Sequence, residues 1–279
     1  MEQNPSEKKR RHPTTKPKKN NVLIRFLFGG WITAFNDIYQ GLVVPFQQTE
    51  TRLKTMLTFV ISLVVTWFIY VPFHELLHVA GCRVTGGTVS TLVMGREYGA
   101  GFLSRIFPFI VPASSQYAGR LTDFKPNGDI GYLVTVFAPY LLTLFPGVWC
   151  ITTAISRRSF TLFGPGIVIG LASFYNLTGD FFEIGTIIST RLVNLVTTGK
   201  ASSIIDAYWE LRSDDLFRLI TEISSSPTSF GANHPSGLPI MIIVIVLGLI
   251  LAVWSAGYTY FVGRWIAGLL TTHRPTNPN

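Results

Sequence analysis

Residues 56–78 read MLTFVISLVVTWFIYVPFHELLH, and this stretch decides how the rest of the chain is interpreted. The 18 residues from Met56 to Phe73 carry no charge. Because an α-helix rises about 1.5 Å per residue, roughly 20 apolar residues cross a bilayer core about 30 Å thick. The stretch therefore predicts a membrane-spanning helix that runs directly into the pentad His74-Glu75-Leu76-Leu77-His78.

The pentad has the spacing of a metal site. His74 and His78 lie four residues apart, so a helix places both imidazoles on one face, where both can reach one ion. Glu75 is turned by about 100° from His74, and there its carboxylate can lie beside the metal without binding it and take a proton from metal-bound water. The pattern is typical of hydrolytic zinc sites. The alternative is a pentad that merely lies at the polar edge of the membrane.

A hydrolytic zinc site has three protein ligands and one open position, so a third ligand is expected elsewhere in the chain. His12, His234 and His273 lie in polar or terminal segments, which favours ordinary surface roles. Asp180 ends the uncharged apolar run 159–179 and is the predicted third ligand. Glu183, one helical turn later, is the alternative, either as a ligand or as the partner of one.

Composition indicates a membrane protein. Hydrophobic residues make up 48% of the 279, and charged residues only 14%, against about 25% in soluble domains. Residues 1–21 hold seven Lys and Arg against two Glu and so account for five of the eight net positive charges. This basic tail is predicted to be disordered and held near anionic lipid, and nucleic acid is not expected as a partner.

Four uncharged stretches are long enough to be predicted as membrane-spanning helices: 56–73, 131–156, 159–179 and 238–262. Residues 22–52 are apolar but contain Arg25 and Asp37, which favours an interfacial or re-entrant segment. Residues 181–199 either prolong the third span or form a separate amphipathic helix. The predicted regions are a tail (1–21), the segment 22–52, a membrane-embedded catalytic core (53–199), a soluble loop (200–237), and a C-terminal helix with its tail (238–279).

The fold class predicted from this pattern is an all-α integral membrane protein with about four spans. One short segment departs from it. Residues 88–93 are β-prone and lie between Gly86-Gly87 and Gly95, which predicts a strand or hairpin after the motif helix.

Charge distribution predicts a cytoplasmic N-terminal tail, and Arg157-Arg158 between the second and third spans agree with it. Five further basic residues would then lie on the outer side: Arg83, Arg96, Arg105, Arg120 and Lys125. If residues 22–47 formed one crossing, the rest of the chain would be inverted.

Over roughly residues 55–190 the chain resembles intramembrane metalloproteases of the site-2 protease type. The resemblance rests on His74, Glu75 and His78 in a membrane helix and on Asp180, which follows His78 by 102 residues. Asn176 matches an Asn that precedes the Asp in that family and lies near its site. The chain departs from the family in Asn176-Leu-Thr-Gly-Asp180-Phe, which lacks a Pro and a Gly, and in Ala138-Pro-Tyr-Leu-Leu142, where Gly-Pro-x-x-Asn is common.

The resemblance implies a three-helix metalloprotease core with the Asp in the third helix, and a zinc cofactor held by His74, His78 and Asp180. It also implies cleavage of a membrane protein or peptide substrate within the bilayer, where zinc-bound water attacks the peptide bond. The β-prone segment resembles the family's edge strand, which could hold an unwound substrate by strand addition.

Three functions follow as expectations. The first is zinc-dependent peptide hydrolysis, with Glu75 as general base and then proton donor to the leaving amine. The second is a membrane scaffold or transport protein in which the His-Glu cluster is structural or relays protons. The third is a relative that binds metal but does not cleave peptides.

Overall fold

The computed structural model describes residues 21–47, 52–113, 118–198, 216–225 and 237–272. The helices are α1 (Asn21–Gln47), α2 (Arg52–Val84), α3 (Ala100–Ile106), α4 (Gly128–Phe137), α5 (Val148–Arg157), α6 (Phe160–Gly170), α7 (Ala172–Tyr175), α8 (Asp180–Thr198), α9 (Leu216–Ser225) and α10 (Gly237–Thr272). The strands are β1 (Thr88–Met94), β2 (Ile110–Pro112) and β3 (Gly119–Lys125). Residues 1–20, most of the predicted loop 200–237, and His12, His234 and His273 lie outside the described residues.

Within the described residues, three helical stretches are long and apolar enough to cross a membrane: Arg52–Val84, Gly128–Arg157 and Ile242–Thr271. They correspond to the first, second and fourth predicted spans. The second is interrupted between α4 and α5, where Phe145 has extended backbone angles (φ −159°, ψ 127°). The mostly helical architecture predicted from the sequence is therefore present.

The predicted third span, 159–179, is not one continuous helix. Its helix α6 has 11 residues and ends at Gly170, and the four-residue α7 and a turn follow it. Gly and Pro are poor helix formers, and α6 contains Gly164, Pro165 and Gly166. The same glycines allow close packing, because a Cβ on Gly164 would lie 2.0 Å from Oγ of Ser62 in α2. The run was predicted as a span because it carries no charge, and Gly and Pro are uncharged, so this criterion did not reveal the break.

Of the predicted segment 181–199, the described residues 181–198 belong to a separate helix, α8, and do not prolong α6. The turn at 176–179 precedes α8, which packs against α10. The two helices approach so closely that a Cβ on Gly185 would lie 2.1 Å from the carbonyl oxygen of Gly248. The turn thus brings Asp180 to the first position of a helix that is held firmly in place.

The prediction of an all-α fold is wrong in one respect, because a small three-stranded sheet follows α2 in the order β2-β1-β3. The predicted strand after the motif helix is β1. It pairs in parallel with β2, where Leu92 lies opposite Ile110, and antiparallel with β3, where Leu92 lies opposite Leu121. The strand β3 was not predicted, since its sequence GRLTDFK is largely polar and shows no clear alternation of apolar and polar residues.

The sheet covers the C-terminal end of α2. Its inner face buries Leu92 and Met94 completely, together with Cys82 of α2, so this thiol is a packing group. Because β3 pairs along β1, its first residues reach the level of the His-Glu pentad. The sheet therefore covers one side of the pentad that the membrane helices alone do not cover.

Candidate metal centre

His74 and His78 of α2 and Asp180 of α8 converge on one point. The Nε2 atoms of the two histidines lie 3.1 Å apart. Asp180 Oδ2 lies 3.3 Å from Nε2 of His74 and 3.5 Å from Nε2 of His78. Both histidines are buried, and the three residues form a group that could hold a metal ion. The predicted set of three therefore meets in space.

These separations match a tetrahedral centre. Ligand bonds of about 2.0–2.2 Å at tetrahedral angles place neighbouring ligand atoms roughly 3.3–3.6 Å apart. The three observed distances, 3.1, 3.3 and 3.5 Å, cover nearly the same range. The residues present thus fit a small divalent cation with three protein ligands.

Hydrogen bonds on the far side of each imidazole orient its metal-facing nitrogen. His78 Nδ1 lies 2.8 Å from the carbonyl oxygen of Thr135, which can only accept, so Nδ1 bears the proton and Nε2 keeps its lone pair. His74 Nδ1 lies 2.7 Å from the hydroxyl of Tyr70, one helical turn earlier. Tyr70 is itself hydrogen-bonded to Tyr175. The lone pairs of both Nε2 atoms can therefore point at the same place.

Tyr140 holds Asp180, the third residue of the group, in place. Its hydroxyl donates to Asp180 Oδ2 at 2.5 Å. The side chain is completely buried, and its ring packs edge-on against Phe181 at a centroid distance of 4.5 Å. Because the ring also meets His74 edge-on, Tyr140 sets the relative position of two of the three ligands. Partners of this kind hold metal ligands in place.

Glu75 lies beside the group without joining it. It is buried, and it lines a cavity of about 350 Å³ together with His74, His78 and Asp180. Gly119 at the start of β3 is the residue that makes room for it, because a Cβ there would lie 2.4 Å from the Cδ of Glu75. The carboxylate thus has its place between the metal-ligand group and the edge of the sheet.

Glu183 and Asn176 also line the cavity. Glu183 accepts a hydrogen bond from the hydroxyl of Tyr132 and is not one of the three converging residues, so the geometry favours Asp180 over Glu183 as a ligand. The carbonyl oxygen of Asn176 accepts from the amide of Phe181 at 3.2 Å, which closes the turn before α8.

Sequence reasoning missed Tyr70, Thr135 and Tyr140. A signal for Tyr70 was available, since it precedes His74 by four residues and so shares its helix face. No local signal marks Thr135, which acts through a backbone carbonyl, or Tyr140, whose partner lies 40 residues away.

Comparisons of the chain with protein-family models, with curated proteins and with solved structures found no match.

Proposed function

We propose that this protein is a membrane-embedded, zinc-dependent peptidase that hydrolyses peptide bonds in or near the membrane segments of its substrates. The observation behind the proposal is the convergence of two imidazole nitrogens and a carboxylate oxygen within 3.1–3.5 Å, at the end of a helix long enough to cross a bilayer. The chemistry of this set, two neutral nitrogens and one carboxylate, suits zinc. His74, His78 and Asp180 would hold the ion.

A bound zinc ion would supply Lewis acidity toward water and toward a peptide carbonyl. Glu75 would take one proton from the water as the water oxygen adds to the carbonyl carbon. Glu75 would then give that proton to the nitrogen as the carbon–nitrogen bond breaks, so that an amine and a carboxylic acid leave. Burial of Glu75 against Gly119 restricts its carboxylate to the cavity and so favours this proton transfer.

The position of strand β3 favours a peptide as the class of substrate. It forms one edge of the sheet, and its residues Gly119, Arg120 and Leu121 line the cavity. An extended peptide can pair with such an edge through main-chain hydrogen bonds. Peptide bonds within a membrane helix are shielded by the helix itself, so an unwound segment held in this way would expose a bond to hydrolysis.

The test measures both the zinc content and the peptide cleavage of the purified protein in detergent or proteoliposomes. We expect about one zinc per chain in the parent and its loss in His74→Ala and His78→Ala. Glu75→Gln should retain zinc and lose cleavage of a membrane-helix substrate by about 10²–10⁴-fold, the contribution typical of general acid–base catalysis. Glu97→Gln is the matched control, because Glu97 is an exposed carboxylate outside the cavity.

The outcomes separate the three functions expected from the sequence. Full cleavage by Glu75→Gln would refute the mechanism. If the parent protein binds zinc but cleaves none of the tested substrates, the result would favour a protein that binds metal and is catalytically silent. A metal-free parent would favour the scaffold or transport alternative, in which the His-Glu cluster is structural or relays protons.

A further inference from the structure

The N-terminal helix α1 is the longest helix outside the three apolar stretches, and its sequence contains Arg25 and Asp37. Its 27 residues would extend about 40 Å at the usual rise, more than a bilayer core requires. A helix of this kind could lie along the membrane surface or cross it. The packing of α1 against α10 distinguishes the two.

The helices α1 and α10 run parallel to each other. Trp31 donates a hydrogen bond from Nε1 to the carbonyl oxygen of Val253 at 2.8 Å, and further along both helices Asp37 meets Arg264. Beside the first of these contacts the backbones touch, because a Cβ on Gly30 would lie 1.8 Å from the carbonyl oxygen of Gly257. Since α10 includes the apolar stretch Ile242–Thr271, α1 has the same direction as a helix fit to cross the membrane.

Asp37, one of the two charges that argue against insertion, is neutralised by α10. Asp37 is only 1% exposed. Its Oδ2 accepts a hydrogen bond from the hydroxyl of Tyr260 at 2.9 Å and lies 2.9 Å from Nε of Arg264. Ionisable residues inside a membrane face the bundle interior and pair with one another. Asp37 does both.

The opposite face of α1 is apolar and exposed. Its large side chains there are 47–64% exposed: Ile24, Phe28, Ile32 and Phe35. An apolar groove lined by Leu27, Phe28, Ile250 and Trp254, among others, continues this face onto α10. The exposed face of α10 carries Ile242, Ile243 and Ile250, so the two helices present one continuous apolar surface, the kind that lipid chains cover.

We infer that α1 crosses the membrane beside α10 and in the same direction, and that it places the basic N-terminal tail and the metal centre on the same, cytoplasmic, side. The inference rests on the membrane location contained in the proposed function, and on neither zinc nor hydrolysis.

The chain returns through the membrane directly after α1. Phe163 contacts both Gly41, near the end of α1, and Phe59, near the start of α2. The helix α2 therefore begins at the level where α1 ends, and only residues 48–51 join them. It then carries His74 and His78 back toward the level at which α1 begins.

The distribution of basic residues identifies the cytoplasmic side. The seven Lys and Arg of residues 1–21 precede α1, and Arg83, Arg96, Arg105, Arg120 and Lys125 belong to the C-terminal end of α2 and to the segments of the sheet that covers it. The opposite end holds fewer: Arg52, Lys54, Arg157, Arg158, Arg264 and Arg274, which follows α10 in the sequence. Cytoplasmic segments carry an excess of Lys and Arg. A crossing by α1 unites the two basic groups, which a surface helix would leave on opposite sides.

Cysteine labelling of the full-length protein in sealed spheroplasts tests the inference. A membrane-impermeant maleimide is applied to four single variants: Ser6→Cys, Thr49→Cys, Gly101→Cys and Ser156→Cys. A side chain at Gly101 meets no atom within 4 Å, and the serine at 156 is exposed. The parent chain measures background, because Cys82 and Cys150 are buried.

We expect Thr49→Cys and Ser156→Cys to be labelled in sealed spheroplasts, and Ser6→Cys and Gly101→Cys only after permeabilisation. Equal labelling of Ser6→Cys and Thr49→Cys from one side would overturn the crossing. Labelling of both Ser6→Cys and Gly101→Cys from outside would overturn the cytoplasmic assignment. Because labelling requires neither metal nor cleavage, the expected pattern in a metal-free, inactive protein would refute the proposed function while supporting this topology.

Discussion

Two buried polar groups lie among the apolar helices, and they differ in how their charge is balanced. In the first, Asp37 of α1 meets Arg264 and Tyr260 of α10, so one acid faces one base and one donor. In the second, Asp180 meets the Nε2 atoms of His74 and His78, which are acceptors when the imidazoles are neutral. The first group is complete as it stands. The second gathers three acceptors around one point, an arrangement that a cation stabilises.

The surroundings of the two polar groups also differ. The metal-ligand group borders a cavity with Glu75, Glu183 and Arg120 on its walls, whereas Asp37 is packed between two helices. A balanced pair without space can orient helices but cannot bind a substrate. The comparison therefore separates a polar group that balances its own charge from one that could hold an ion, and the variants below test that separation from the largest expected effect to the smallest.

The largest effect is expected for Asp180→Asn, which removes the charged ligand. We expect zinc affinity to fall by more than about 100-fold, since removing even an indirect partner of a metal ligand costs about 10–100-fold. Competition with a chelator measures it. Asp37→Asn is the control and should leave zinc affinity unchanged. Equal losses in both variants would mean that zinc loss reports general unfolding.

The next effect is on stability. Arg264→Met leaves the Asp37 carboxylate buried without its base, which should cost about 1–3 kcal/mol of unfolding free energy, less than a fully buried pair because the Arg264 side chain is 41% exposed. The double variant Asp37→Leu/Arg264→Met removes both charges, and we expect most of the loss to be recovered. Unfolding in detergent measures both. A double variant as unstable as the single one would show that the pair is not the source of the effect.

Tyr140→Phe should weaken zinc binding by about 10–100-fold without unfolding the protein, because it removes the hydroxyl that holds Asp180 Oδ2 and leaves the buried ring in place. Tyr258→Phe is the matched control, since Tyr258 is 48% exposed on α10 and stacks on Trp254. Unchanged affinity in Tyr140→Phe would mean that ring packing alone positions Asp180.

The smallest effect is expected for Trp31→Phe, which removes the hydrogen bond to the Val253 carbonyl and retains most of the ring packing on Phe174. Side-chain hydrogen bonds between membrane helices contribute about 0.6 kcal/mol on average, so a loss of about that size in unfolding free energy is expected. Trp265→Phe, on an exposed position of α10, should have no effect. A change of zinc affinity in Trp31→Phe would contradict the independence of the two polar groups.

Local periodicity explains which parts of the site were predictable. The interval between His74 and His78 fixes their common face in any helix, and Tyr70 belongs to the same face. The end of an apolar run marked Asp180, although the run itself is divided at Gly170. Thr135, Tyr140 and Gly119 gave no such signal, because their roles depend on which elements pack against α2.

The role of Asp37, by contrast, could not be predicted from its local sequence. In the sequence, Arg25 and Asp37 in an apolar segment favoured an interfacial or re-entrant position for residues 22–52. Arg264, its partner, stands at the far end of the chain, where a lone cation in an apolar helix carried no indication of pairing. When either charge is considered without its partner, the free-energy cost of burying it is overestimated.

The sequence alone determined the apolar helical character of the chain, the common face of His74 and His78, and Asp180 as the acidic candidate, because hydrophobicity and helical periodicity are local properties. The tertiary structure decided the rest: that three ligand atoms approach within 3.5 Å, that Tyr140 and Thr135 orient them, that β3 walls the cavity, and that Asp37 is neutralised. These depend on contacts between residues far apart in the chain, which form only when the elements pack.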